Sequence, residues 1–279
     1  MKAMMNTPAG RRFKRNFPAK LGLTVLAALV LLAVLAPLIA PSDPDAIVSM
    51  ATIGPGLPHL FGTDEIGRDI LSRCLFGARI SLSVGLIAVV ISIVIGTILG
   101  AVSGYLGGLV DSLVMRFVDI MLAFPSIFLI LTIQAMFTPS ITNVMIVIGL
   151  TSWMGVARLV RGEFLSLKER DFVEAARALG VSTPRIIFGH ILPNTIGPIS
   201  VAATLGVAGA ILTESALSFL GLGVQPPLAS WGSMLTDSQA YMRDAWWLAF
   251  FPGVLILITV LSIYFVGEGL RDALDPRGE

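Results

Sequence analysis

RDFVEAARALGVSTPRIIFGHILP, residues 170–193, is a charged, helix-forming island in a strongly apolar chain, and the reading of the fold turns on it. Phe172, Ala176 and Leu179 fall at i, i+4 and i+7, which places them on one face of a short helix. Arg170 and Glu174 are four apart and Glu174 and Arg177 three apart, a spacing that permits a salt-bridged flank. Gly180 supplies a residue free to turn left-handed and end that helix, and Val181 supplies the apolar contact that accompanies such a cap. Ser182 or Thr183 then caps a second helix with Pro184 at its first position, and Pro193 closes it. Two short helices joined at a glycine elbow are too short and too charged to cross a bilayer, so the stretch is expected to lie outside it.

The rest of the composition supplies the membrane. Of 279 residues, 55% are hydrophobic and only 13% charged, which places the chain among polytopic membrane proteins. The single cysteine, Cys74, excludes an intrachain disulfide, and two histidines, His59 and His190, leave little from which to build a metal centre. No metal, catalytic or cofactor-binding residues are assigned.

Taken in order, residues 1–20 carry six basic side chains and no acid, and 21–42 run uncharged. That run is longer than a signal-peptide core and lacks a small-x-small cleavage site, so it is read as the first span. Residues 43–79 are polar and are read as an external loop. Gly62 and Gly67 permit turns there, and Asp64, Glu65, Arg68 and Asp69 can pair with one another. From Ser81 to Val110 there is no charge, and Gly96, Gly100 and Gly104 recur every four residues, a spacing that lets two helices approach closely. A third span is expected over 120–137, broken by Pro125, with Arg116 and Asp119 neutralising each other at its edge. The fourth ends near Ala157. The fifth covers about 195–213, with Glu214 at its end, and the sixth about 248–267, with Glu268 paired to Arg271. Trp231, Trp246 and Trp247 read as interfacial anchors.

Three separated stretches carry a resemblance. Glu174-Ala175-Ala176, Gly180 and Ile191-Leu192-Pro193 resemble the EAA loop of ABC-importer permeases. FGTDEIGRDILSR, residues 61–73, with its Gly62, Thr63, Asp64, Gly67, Arg68 and Asp69, resembles a signature of the subfamily that imports dipeptides, oligopeptides and nickel; MRFVDIMLAFP and the 214–232 stretch are similar to the same subfamily. The resemblance implies an all-α polytopic membrane protein of the type I ABC importer permease fold, with six transmembrane helices and a coupling loop over 162–194. Within it Phe172, Glu174, Ala175, Ala176, Gly180, Ile191 and Pro193 are the residues expected to engage a cytoplasmic ATPase. The alternative for this helix is an ordinary amphipathic segment at the membrane surface. The 61–73 signature is read as structural, since it assembles no nucleophile, base or ligand cluster.

Six spans put both termini on one side. With the N terminus inside, 15 of the 19 Lys and Arg fall in cytoplasmic segments, and only Arg68, Arg73, Arg79 and Arg243 fall outside. The organisation expected is a basic cytoplasmic segment at 1–20, a first helix at 21–42, an external loop at 43–79 and a five-helix permease core at 80–279. No G-x-x-x-x-G-K-[ST] occurs, so ATP and Mg belong to partner chains. The resemblance implies a second, homologous permease, two ATP-binding subunits, an external substrate-binding protein and the inner membrane of a prokaryote as the setting; no nucleic acid is implied. The cargo stays open among dipeptide, oligopeptide, nickel and oligosaccharide. A secondary transporter would show an inverted repeat between the chain's halves, and an intramembrane enzyme a nucleophile with its base; neither is visible.

Overall fold

The computed structural model describes residues 8–274 of the chain, and among them it is helical, with loops and no strand. Two isolated bridges, Ile47 with Arg68 and Thr63 with Asp69, fold the segment before the longest helix onto itself.

Helix α1 (Pro8–Arg15) leads into α2 (Phe17–Ile39), whose start is capped where the Asn16 side chain accepts from Ala19 N at 3.0 Å. α3 (Ile70–Leu106) begins at its own cap, Asp69, which accepts from Ser72 N at 2.8 Å. The loop expected over 43–79 therefore ends at Asp69: nothing in 70–79 breaks a helix, and α3 carries Arg73 and Arg79 past the apolar run. At 37 residues it is about 55 Å long, well over the roughly 30 Å of a hydrocarbon core.

α4 (Gly108–Ala123) and α5 (Ser126–Ala135) form the third apolar unit, bent by 86° where Phe124 is pushed into the extended region ahead of Pro125. Asp111, Arg116 and Asp119 lie within α4 rather than before a span. The Arg116–Asp119 neutralisation is replaced by a pair between helices, Asp119 with Arg158 of α6 (Ile141–Leu167).

α7 (Asp171–Ala178) is the short helix of the charged island. α8 (Thr183–Ile186) does not stop at Pro193. It widens into a π turn over Ile187–Ile191 and continues as α9 (Leu192–Phe219). Pro193 has no N–H to give and its ring crowds the carbonyl four residues back; at the neighbouring position the ladder is five residues wide, Leu192 N bonding Ile187 O. α9 also runs past Glu214, which is buried inside the helix rather than placed at a span end.

After α10 (Trp231–Ser238) and a 3₁₀ turn (Gln239–Tyr241), α11 (Trp247–Leu274) closes the described chain. Among the described residues no ion pair joins Glu268 to Arg271. Of the three tryptophans read as anchors, Trp246 is exposed, whereas Trp231 and Trp247 are buried, their indole nitrogens donating to Cys74 O and Thr63 O. Among the described residues, five helices are long and apolar enough to cross a membrane, counting α8–α9 as one, and the bent α4–α5 pair makes a sixth if it is one span.

The bundle's most extensive pairing is α3 with α6. A Cβ on Gly96, Gly100 or Gly104 would stand 2.6 Å from Val156 Cβ, 2.5 Å from Ala157 O or 2.7 Å from Phe164 Cβ. Such approach without side chains is how helices attract in lipid, where apolar burial alone gives no preference for protein over acyl chain.

Candidate functional site

The island at 170–193 folds as a polar platform on the ends of α3 and α6. α7 buries Val173 and Ala176 in a cluster with Val160 and Phe164 of α6, Ala101 of α3, and Ile186 and Ile191. The inward face is Val173 and Ala176, so Phe172, Ala176 and Leu179, which the spacing groups on one face, are divided between inside and outside. In eight residues there is room for one i, i+3 pair to be buried, and Phe172 and Leu179 turn outward, Leu179 to 84% exposure. Arg170, Glu174 and Arg177 form no ion pair with one another among the described residues; Arg177 instead lies 5.7 Å from the ring centre of Tyr105 at the end of α3.

The helix ends where Gly180 takes φ +74°. Gly180 N bonds Arg177 O at 2.9 Å and Val181 N bonds Ala176 O at 3.0 Å, the paired bonds of a Schellman cap, with Val181 packed against the cluster beneath. Ala176 and Ile191 thus anchor the platform from below. Phe172, Glu174, Ala175, Gly180 and Pro193 are on its open face, together with Leu179 and Phe188. A surface of this kind, apolar knobs among charges on a rigid base, is suited to receiving another protein.

α6, which leads into the platform, is tied to α4 by Arg161, whose guanidinium makes hydrogen bonds of 2.5 and 2.6 Å to Asp111; Ser103 of α3 donates to the same carboxylate. The sequence carries each of these residues but no spacing that pairs them, since Asp111 and Arg161 are 50 positions apart.

At the opposite end of α3, residues 47–73 make a compact knot. Asp64 accepts from Ile66 N, Arg68 N and Arg68 Nε at 3.0, 2.8 and 2.5 Å, and Glu65 takes Arg68 Nη2 at 3.0 Å. Asp69 pairs with neither arginine. It caps α3 and meets His59 Nδ1 at 3.1 Å. Thr63 is buried, its hydroxyl donating to Met50 O and accepting from Ile53 N. Gly62 and Gly67 sit at φ +81° and +92°, so the knot requires glycine at both. Arg73 is buried between Asp64 and Asp237, at 3.5 and 3.6 Å. Burial raises the carboxyl of Glu65, and likewise that of Asp237, above its ordinary range. These groups hold the segment to α3 and α10. No three His, Cys, Asp or Glu side chains gather as metal ligands among the described residues.

Between α3, α6 and α9 is an open cavity of about 230 Å³, lined by small and apolar residues with Ser92 and Ser152 as its polar members.

Five or six apolar helices among the described residues, with a polar platform at one end and a polar knot at the other, define a multi-pass membrane protein. Residues 96–278 match the family model described as the binding-protein-dependent transport system inner membrane component, and residues 9–61 match the N-terminal TM domain of oligopeptide transport permease C. The chain belongs to the binding-protein-dependent transport system inner membrane component family. It is 46% identical to a dipeptide transport system permease protein, DppC, of Alkalihalophilus pseudofirmus over 96% of this chain and 89% of the relative. To DppC of Escherichia coli K12 it is 48% identical, over 95% and 91%. An oligopeptide transport system permease protein, OppC, of Haemophilus influenzae is 46% identical over 96% and 88%. Among solved structures, the inward-facing MetNI methionine ABC transporter matches with a TM-score of 0.60 at 18% identity, over 73% of this chain and 96% of that one, which establishes the shared fold. The chain is a permease subunit of an ABC transporter, a transport component and not an enzyme, and works with ATPase and substrate-binding partners.

Proposed function

We propose that this chain forms half of the translocation pathway of an ATP-driven importer of dipeptides or oligopeptides. The observation that carries the reading is 46–48% identity, over at least 95% of the chain, to permeases named for those cargoes. Its other half is a second, homologous permease. Two ATP-binding subunits supply ATP and Mg, and an external binding protein supplies cargo.

In this reading the platform at 170–193 faces the cytoplasm with both termini, and the knot at 47–73 faces outward. The distribution of Lys and Arg supports that orientation. ATP closes the ATPase pair, and α7 moves with the subunit seated on Phe172, Glu174, Leu179 and Gly180. Because α7 is packed on α6, and the α8–π–α9 helix is continuous with the platform, the motion passes into the spans. Small side chains along the cavity between α3, α6 and α9 suit a passage whose cargo specificity is set by the binding protein.

The test is purification of the chain from native membranes with its partners, followed by ATP-dependent uptake in proteoliposomes supplied with the binding protein. Uptake of a labelled dipeptide, competed by unlabelled peptides and not by nickel or oligosaccharide, is expected. Competition by nickel or an oligosaccharide alone would reassign the cargo, and uptake without ATP would remove the chain from this mechanism.

A further inference from the structure

Glu214 is fully buried in the last two turns of α9, about 33 Å along the helix from Leu192 and so at the end of the bundle remote from the platform. Among the described residues no basic side chain pairs with it. Its partners are three serine hydroxyls from three elements. Ser218 Oγ, one turn further on α9, and Ser230 Oγ, the N-cap of α10, each lie 2.7 Å from Oε1; Ser81 Oγ of α3 lies 3.5 Å from Oε2.

Each of those hydroxyl oxygens also accepts a main-chain N–H. Val224 N bonds Ser218 Oγ at 3.2 Å, Ser233 N bonds Ser230 Oγ at 3.1 Å and Trp231 N bonds Ser81 Oγ at 3.2 Å. With the N–H groups directed at the oxygens, the hydroxyl hydrogens are free to point at the carboxylate. Three backbone donors of segment 220–246 are thereby routed through three serines to one acidic group. The segment rests directly on α9: a Cβ on Gly232 would stand 2.6 Å from Ser215 Cα. A buried carboxyl group is costly to leave without partners, and the full set of hydroxyls offsets that cost. The set is complete only while α3, α9 and α10 stay together.

We propose that Glu214 is a positioning residue for transport, the latch that holds segment 220–246 shut across the ends of α3 and α9 and is released when those ends part. An arrangement satisfied in one packing and broken in another gives the segment two states in place of a continuum of openings. The proposal takes its two-state cycle from the importer reading and nothing from the cargo.

The test uses the assembled transporter in nanodiscs, without nucleotide, in a Cys74→Ala background. Met234, buried on the inner side of α10, is replaced by Cys, and its rate of reaction with a water-soluble maleimide reports opening. Glu214→Ala is expected to label about tenfold faster than the parent and Ser230→Ala about threefold, as befits loss of several or one of the hydrogen bonds of a buried carboxyl group. Glu214→Gln keeps an oxygen for Ser218 and Ser230 and is expected to stay near the parent rate. Parental rates in both Glu214→Ala and Ser230→Ala would overturn the latch, as would a drop in assembled protein with no change in the rate of what remains. If Glu214→Ala does not assemble, Ser230→Ala decides. Peptide plays no part in the assay, so a wrong cargo assignment would leave these rates untouched and appear only in uptake.

Discussion

Arg161 of α6 closes a two-bonded ion pair on Asp111 of α4, Nε and Nη2 lying 2.5 and 2.6 Å from the two carboxylate oxygens. The geometry is the strong, bidentate form that lysine cannot copy. It fastens the first turn of the bent α4–α5 unit to the helix that enters the platform. Arg161→Ala is expected to weaken that attachment by about 2 kcal/mol and to lower transport more than the level of chain in the membrane. Arg161→Lys should recover only part. Uptake normalised to chain abundance checks this, and full activity in Arg161→Ala would remove the pair from the working mechanism.

Gly100 and Gly162 give a matched test of helix contact. A Cβ at Gly100 would stand 2.5 Å from Ala157 O, a backbone atom that can move only with its helix, whereas a Cβ at Gly162 meets nothing within 4 Å. Gly100→Val is expected to cost about 3 kcal/mol through overpacking, while Gly162→Ala should be neutral or mildly stabilising because alanine favours helix. Thermal unfolding of the detergent-purified complex separates them; equal behaviour would contradict the close α3–α6 approach.

Gly180 occupies open space, so any effect of substitution there arises from its φ of +74° and from what docks on it. Gly180→Asp is expected to cost only about 1 kcal/mol of local strain, since aspartate tolerates the left-handed region better than most residues. Loss of transport at normal membrane abundance would therefore come from a carboxylate on the docking face. Unchanged uptake in whole cells would show that Gly180 makes no contact with a partner.

Asp237 carries a pH signature. Burial is the leading cause that raises it above its ordinary 3.8, ahead of the opposing attraction of Arg73. The folded state therefore binds the proton more tightly than the unfolded state. Stability falls as pH rises from 3.8 to the raised folded-state value, and the whole penalty is present above it. Asp237→Asn is expected to raise the apparent Tm of the purified complex at pH 7.5, with the gain shrinking as pH is lowered toward 4. A gain that is constant across pH, or a loss at pH 7.5, would mean that the ion pair to Arg73 outweighs burial.

The helical class, the glycine spacing and the elbow at Gly180 were legible because each rests on local chemistry: apolar run length, a four-residue repeat and a residue that turns left-handed. What escaped was decided at a distance. Which side of α7 packs inward is not legible, because Phe172 and Val173 are both apolar and only the cluster under α7 selects Val173. Pro193 reads as a stop unless a π turn is allowed for, and no residue pattern announces one. Glu214 looked like the polar end of a span, since its three serines come from α3, α9 and α10 and share no spacing with it. Arg116 and Asp119 have the spacing of a local pair, but Arg158 reaches Asp119 from another helix.

A platform that receives an ATP-binding subunit is detected by photo-crosslinking from position 179. Leu179 is the most exposed large apolar residue of α7 and its cap, so a photoreactive residue there leaves the Val173 and Ala176 anchors intact. A covalent adduct to the ATP-binding subunit is expected in intact cells, with a yield that changes when vanadate traps the nucleotide-bound state. Crosslinks to lipid or to the external binding protein, with none to an ATP-binding subunit, would contradict it.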